Sequence, residues 1–158
     1  MKVTANIATY PPRLNSLKRV VASLYDQVDK IRICFNEMDY GDVPQYFKDL
    51  EYRDYENGGK LKIFTPSDNL TDNGKFIYLD GLGDHDIPEY YFSCDDDLIY
   101  PPDYVEKTID NIKKFGMIVT YHGRELQGLG RDYYRGHKCH MCLHTVKGNH
   151  KIDVPTRS

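Results

Sequence analysis

The sequence predicts an α/β fold, a mixed but mostly parallel sheet flanked by helices, and three observations predict it. Apolar, β-branched segments alternate with segments of helical period from the start of the chain to residue 121. Polar residues gather just after the apolar segments, where ligands bind in such sheets. The chain has 158 residues, 40% hydrophobic and 28% charged, enough for one domain with a core of its own.

Residues 2–9 read as a buried strand. Tyr10-Pro11-Pro12-Arg13 ends it, because proline cannot join a ladder. Residues 14–25 read as a helix with Leu14, Leu17, Val20, Val21 and Leu24 on one face. Residues 30–35 are a second strand, closed by Asn36, and after a polar stretch a short helix covers 45–50. Residues 61–64 are a third strand. A turn-rich segment then leads into a helix from about 73 to 82. Residues 89–94 are a fourth strand. Pro101-Pro102 opens a helix to residue 115, with Val105, Ile109, Ile112 and Phe115 as its buried stripe. Residues 117–121 are a fifth strand. The remainder, 122–158, is irregular and holds five of the six histidines and two of the four cysteines. The expected organisation is one domain, 1–158, with an α/β core over 1–121.

Bulk properties narrow the function. A net charge of −3 argues against nucleic-acid binding through bulk electrostatics. No run approaches ~18 apolar residues, so no spanning helix is expected. The first residues lack the long apolar region of a signal peptide. A cytoplasmic protein with reduced thiols is the expectation, Cys34 and Cys94 acting as small hydrophobes inside strands. Most of the 14 tyrosines read as amphipathic residues at the edge of the core.

Three constellations carry chemistry. Asp95-Asp96-Asp97 closes the fourth strand. Adjacent carboxylates repel one another, and the cluster makes sense around a divalent cation such as Mg²⁺ or Mn²⁺, held by one or two carboxylates plus substrate phosphates. Helix capping is the plain alternative, but Asp103 is better placed for it. The second is Thr9-Tyr10-Pro11-Pro12-Arg13, a loop entering a helix N-terminus, whose backbone N–H groups suit an anion. There Arg13 is set to pair with phosphate and Tyr10 to pack on a base or ribose; a plain turn is the alternative. The third is Ser67-Asp68-Asn69-Leu70-Thr71-Asp72-Asn73-Gly74-Lys75-Phe76. Asp72 or Asn73 can cap the following helix. Lys75, in its first turn, is disfavoured by the helix dipole unless it faces a phosphate or an acid.

Taken in order, these motifs resemble the GT-A-fold glycosyltransferases, family-2-like enzymes that use nucleotide sugars. The chain is most similar in this respect to the small glycosyltransferase domains of large algal DNA viruses and some bacteria. The motifs run through Thr-Tyr-Pro-Pro-Arg, a strand ending in Asn36, Asp-Asn-Gly-Lys-Phe, Asp-Asp-Asp and Pro-Pro-Asp-Tyr, over roughly residues 1–125. The resemblance implies a UDP-sugar donor, a glycan or other hydroxyl acceptor, and Mn²⁺ or Mg²⁺, in the host cytosol if the source is viral. On that pattern Asp97 is the metal ligand, with Asp95 on the ribose or a metal-bound water and Asp96 facing the donor sugar. Thr9, Tyr10, Arg13 and Asn36 line the nucleotide, and Asp72 and Lys75 contact base and phosphate or sugar. His144 and His122 are weaker candidates to complete the metal shell. An inverting transfer needs a carboxylate base, for which Glu125, Asp132 and Asp153 are candidates. GT-A enzymes usually run well beyond 158 residues, so a shortened C-terminal part is expected.

Two other functions compete. A nucleotidyltransferase making nucleotide sugars shares the metal logic but usually carries a glycine-rich first loop, absent here. A donor- or zinc-binding module without turnover is the other. His137, Cys139, His140, Cys142, His144 and His150 are zinc-type ligands. If 139–146 is a strand, however, Cys139 and Cys142 face opposite ways and cannot share a metal.

Overall fold

Strand residues that point alternately to two buried faces make the central sheet. The computed structural model describes residues 1–53, 59–77, 79, 88–126 and 137–141, with 122–126 and 137–141 described by their backbone. The chain forms two compact units, Met1–Ile109 and Asp110–Ser158.

The first unit holds four strands, β1 (Val3–Thr9), β2 (Lys30–Phe35), β3 (Leu61–Phe64) and β4 (Tyr90–Cys94). They form one all-parallel sheet in the order β3-β2-β1-β4. The helices α1 (Leu14–Leu24) and α2 (Gln45–Arg53) make the crossovers between β1, β2 and β3, and α3 (Tyr104–Phe115) follows β4. This is an α/β, Rossmann-like class of fold. The four described strands of this sheet are all parallel, in keeping with the mostly parallel sheet expected.

Register assigns the faces. Ala5 pairs with Ile31 and Phe92, Ile7 with Ile33 and Cys94, and Ile31 with Leu61. These residues join Leu17, Val20, Val21 and Leu24 of α1, Phe47 and Leu50 of α2, and Val105 and Ile109 of α3 in one core. Of the stripe read for α1, Leu17, Val20, Val21 and Leu24 are buried and Leu14 half-buried; of that read for α3, Val105 and Ile109 are buried and Ile112 and Phe115 half-buried. The opposite face is buried too, but polar: Thr4, Asn6 and Arg32 lie on it with Ala8 and Cys34. Asn6 Nδ2 donates to the Phe92 carbonyl at 3.3 Å, tying β1 to β4.

Four expectations are corrected. First, residues 117–121 are not a strand; Ile118 is 83% exposed. Gly116 turns the chain out of α3 at φ +64°, and the strand β5 is His122–Leu126, antiparallel to β6 (His137–Met141). β-branched residues favour a strand only where a half-buried ladder is there to receive them. Second, residues 71–75 form a short 3₁₀ helix, Thr71–Lys75, in place of a helix opening at 73. Third, α3 begins at Tyr104, whose N–H bonds the Pro101 carbonyl at 3.0 Å, so both prolines precede the helix in a turn. Fourth, α2 extends to Arg53. No described helix is long and apolar enough to cross a membrane.

Candidate functional site

The sheet order reverses at β1: the chain moves from β1 out to β2 and β3, then crosses back to β4 on the other side. Open α/β sheets bind ligands beyond the carboxyl ends of the strands at such a point. Four segments meet there.

The loop after β1 is a 3₁₀ turn, Pro11–Arg13, running into α1. The prolines have no N–H, and the Arg13 N–H is bonded to the Tyr10 carbonyl at 3.0 Å. The Leu14 N–H bonds the Pro11 carbonyl. The expected backbone anion site is therefore corrected: what this loop offers an anion is the Arg13 side chain. The guanidinium reaches across the switch point, where Nη1 bonds Asp96 Oδ1 at 3.1 Å and pairs with Asp97 Oδ2. Its Cζ also lies 5.8 Å from the Tyr10 ring centroid, a cation–π distance. Interaction with the Tyr10 side chain, then the charges of Asp96 and Asp97, raises the Arg13 pKa further.

The segment after β2 is anchored by Asn36, which is buried. Its Nδ2 donates to the carbonyls of Thr9 (3.3 Å) and Thr71 (3.2 Å), and its Oδ1 accepts from the Leu70 N–H (2.9 Å). Asn36 lines the site, but its hydrogen-bonding groups are committed to holding three chain segments together. Glu37 and Thr71 follow at φ +58° and +51°. They are the two non-glycine residues with left-handed backbone among those described, and such conformations concentrate at functional sites. Glu37 accepts a hydrogen bond from Asn69, whose Oδ1 accepts from the Thr71 N–H at 2.8 Å.

Gly74 lets the Thr71–Lys75 turn lie on the sheet. A Cβ there would stand 2.6 Å from Cys34 Sγ and 3.3 Å from Ala8 Cβ. This close approach buries Lys75, whose Nζ bonds Asp95 Oδ1 at 2.6 Å and Asp72 Oδ1 at 3.3 Å. Burial disfavours the Lys75 charge, but the hydrogen bond and charge of Asp95, joined by Asp72, outweigh it and raise the pKa. Lys75 is the last residue of its 3₁₀ helix, not in the first turn of a longer one, so the dipole argument for it falls away. The capping role read for Asp72 or Asn73 falls with it: Leu70 is the N-cap, without a side-chain cap.

The acidic turn after β4 is held from behind. The Asp95 N–H donates to Tyr100 Oη at 2.7 Å, the Tyr100 N–H to Ser23 Oγ at 3.2 Å, and Gln27 bonds both the Pro101 carbonyl and the Val105 N–H. Tyr100 thus serves as an internal prop.

These segments enclose a cavity of about 510 Å³. Thr9, Tyr10, Arg13, Asn36, Asp72, Lys75, Asp95, Asp96 and Asp97 all line it, so every nucleotide-sugar candidate falls on one cavity. Glu37, Asn69, Thr71 and Ala8 line it as well and were not among the site residues singled out from the sequence. Only Asn69 and Thr71 carried a signal, as members of the turn-rich segment. Five carboxylates face two cations, so the lining has a formal charge of −3.

The remaining candidates belong to the second unit. His122 and Glu125 lie on β5, where Glu125 pairs in register with Lys138. His144, Asp132 and Asp153 lie outside the described residues, as do Cys142 and His150 of the zinc-type segment. Among the described residues no three His, Cys, Asp or Glu side chains converge as a ligand set. Asp95 and Asp97 turn apart, toward Lys75 and Arg13. A divalent cation still fits the donor chemistry: in phosphate sites one or two carboxylates suffice, the Asp97 side chain is 46% exposed at the cavity, and the lining has negative charge in excess.

No protein-family model matches the chain, and no curated protein matches it.

Proposed function

We propose that this chain is a GT-A-like, metal-dependent glycosyltransferase that moves a sugar from a UDP-sugar to an acceptor hydroxyl. One observation carries the reading: an arginine after β1, an acidic turn after β4 and a lysine after β3 meet in one cavity at the switch point of a parallel sheet. That is where an α/β sheet holds a nucleotide.

The charge of the lining makes a cation part of the proposal. A diphosphate entering a cavity of formal charge −3 is repelled unless a cation accompanies it. Asp97 is assigned to hold Mn²⁺ or Mg²⁺, with Asp95 on the ribose or a metal-bound water. When bound, such an ion stabilises the charge that develops on a departing diphosphate. The chain's own groups do the rest. Tyr10 presents its ring to a base or ribose, and Arg13 offers a planar fork suited to phosphate. Lys75 holds Asp95 in place, and the exposed Asp72 is open to polar groups of the ligand. Cys34 and Cys94, free and buried, accord with a reducing compartment such as the cytoplasm. A nucleotidyltransferase reading is disfavoured by the first loop, whose Pro11–Arg13 turn has no backbone N–H left to cradle a triphosphate.

Calorimetry of UDP binding with and without Mn²⁺ tests the proposal. The expected result is Mn²⁺-dependent affinity that Asp97→Asn reduces ~10-fold or more while leaving the thermal midpoint near that of the parent. Release of sugar from UDP-sugars, with and without simple acceptors, then separates an enzyme from a binding module. Absence of UDP affinity in the presence of Mn²⁺ would end this reading.

A further inference from the structure

The two cations of the cavity are not equivalent. Lys75 is buried, its side chain 9% exposed, and fixed between Asp95 and Asp72. Arg13 is 38% exposed and reaches its partners across the mouth of the site from the opposite side of the switch point. A single nitrogen, Nη1, serves both Asp96 and Asp97. The oxygen it covers on the exposed member is Asp97 Oδ2, on the carboxylate assigned above to the divalent cation.

From this arrangement we infer that Arg13 is a resident counter-cation that competes with the metal for Asp97 and yields its place only when a nucleoside diphosphate arrives. This rests on the proposed metal-dependent nucleotide site and specifies its regulation. A divalent ion bound to a carboxylate oxygen and a guanidinium on the same carboxylate are like charges a few ångströms apart, and they repel. Metal alone must therefore displace Arg13 into water. A diphosphate changes the balance, because it offers the guanidinium a bidentate anionic partner in exchange. The freed Asp97 then accepts the metal. Asp96, whose side chain is only 9% exposed, holds the other anchor of the guanidinium and keeps it near the cavity. Metal and diphosphate consequently bind with positive coupling, and the coupling is reciprocal. Arg13 is a positioning residue in this scheme: it suppresses metal loading of the empty site and delivers its charge to the phosphates.

The test is Mn²⁺ binding to the full chain, read from the spectrum of free aqueous Mn²⁺ by electron paramagnetic resonance, with and without UDP. In the parent protein, UDP should tighten Mn²⁺ binding ~10-fold or more, a typical coupling. In Arg13→Gln, Mn²⁺ alone should bind ~10-fold more tightly than to the parent, and the further gain from UDP should shrink to a few-fold. Arg13→Lys keeps the charge, so its affinity for Mn²⁺ alone should stay close to that of the parent. Adding Asp97→Asn to Arg13→Gln should abolish the gain. Circular dichroism confirms that each variant is folded. The inference is overturned if the parent binds Mn²⁺ and UDP together but Arg13→Gln binds Mn²⁺ alone no better than the parent. If the parent binds neither, the metal-dependent reading itself fails and takes this inference with it.

Discussion

Arg13 and Asp96 stand 83 positions apart in the sequence and meet at 3.1 Å across the switch point of the sheet. The pair joins the loop after β1 to the turn after β4, and the cavity opens beside it. It also changes what the acidic triplet means. Arg13 and Lys75 already neutralise part of Asp95-Asp96-Asp97, so mutual repulsion alone does not demand a metal. The proposal of a cation rests on the whole lining, where carboxylates outnumber cations.

Asp96 and Asp97 should respond differently to removal. Asp96 is buried and Asp97 about half exposed. Asp96→Ala is expected to destabilise by about 1–2 kcal/mol, below the range for fully buried pairs because Arg13 remains partly solvated. Asp97→Ala should change stability by less than about 0.5 kcal/mol. Urea midpoints of the two variants check the order; equal losses would contradict the burial difference.

Asn36→Ala removes the side-chain bonds to Thr9, Thr71 and Leu70; the Thr9 carbonyl keeps the Asn36 N–H, but the Thr71 carbonyl and the Leu70 N–H lose this partner. A loss of about 2–3 kcal/mol is expected in urea unfolding, with weaker nucleotide binding as a consequence of the released 70–71 turn. Asn36→Asp should fare no better, because a carboxylate would face two carbonyl oxygens.

Gly74→Ala should destabilise by about 1–3 kcal/mol through overpacking against Cys34. The clash also lifts the Lys75 turn off the sheet, so the Lys75–Asp95 pair should loosen with it. Cys34→Ala removes the nearest atom, and the double variant should recover part of the loss. A double-mutant cycle measures this coupling, and additive losses would place the strain elsewhere.

The Cys34 and Cys94 thiols are raised by burial from 9.0 to about 11 and about 12. Each binds its proton more tightly in the folded chain than in the unfolded one. Their contribution to stability is therefore complete below pH 9 and is lost as pH rises toward 11 and 12. Urea midpoints should fall over that window, and less steeply in Cys94→Ala. Iodoacetamide with peptide mapping just below pH 9 should leave both cysteines unmodified until the chain is unfolded.

Much of the fold is legible locally. β2 and β3 lie where the sequence places them, and β1, β4 and α1 begin or end within one residue of expectation. Buried parallel strands are continuous apolar runs, and an amphipathic helix repeats its apolar residues every turn; both signals are local. The errors fall where local signals mislead. The run 117–121 has strand-forming residues, yet the strand formed is His122–Leu126. The Asp72-Asn73-Gly74 sequence reads as a helix start, but Gly74 is needed for contact with Cys34, and the turn closes as a 3₁₀ helix.

Local pattern along the chain is enough for the alternation of strands and helices, the apolar face of α1, and the polar residues that stand at the carboxyl ends of strands. These follow from periodicity and from where apolar runs stop. What those polar residues do to one another follows from strand order and packing. The packing gave Asn36 to the chain rather than to a ligand, paired Arg13 with Asp96 and Asp97 and Lys75 with Asp95, and brought Glu37, Asn69 and Thr71 into the same wall. The physical reason is distance along the chain. An ion pair between residues 83 positions apart is set by strand order and crossover, and no local pattern of residues encodes that.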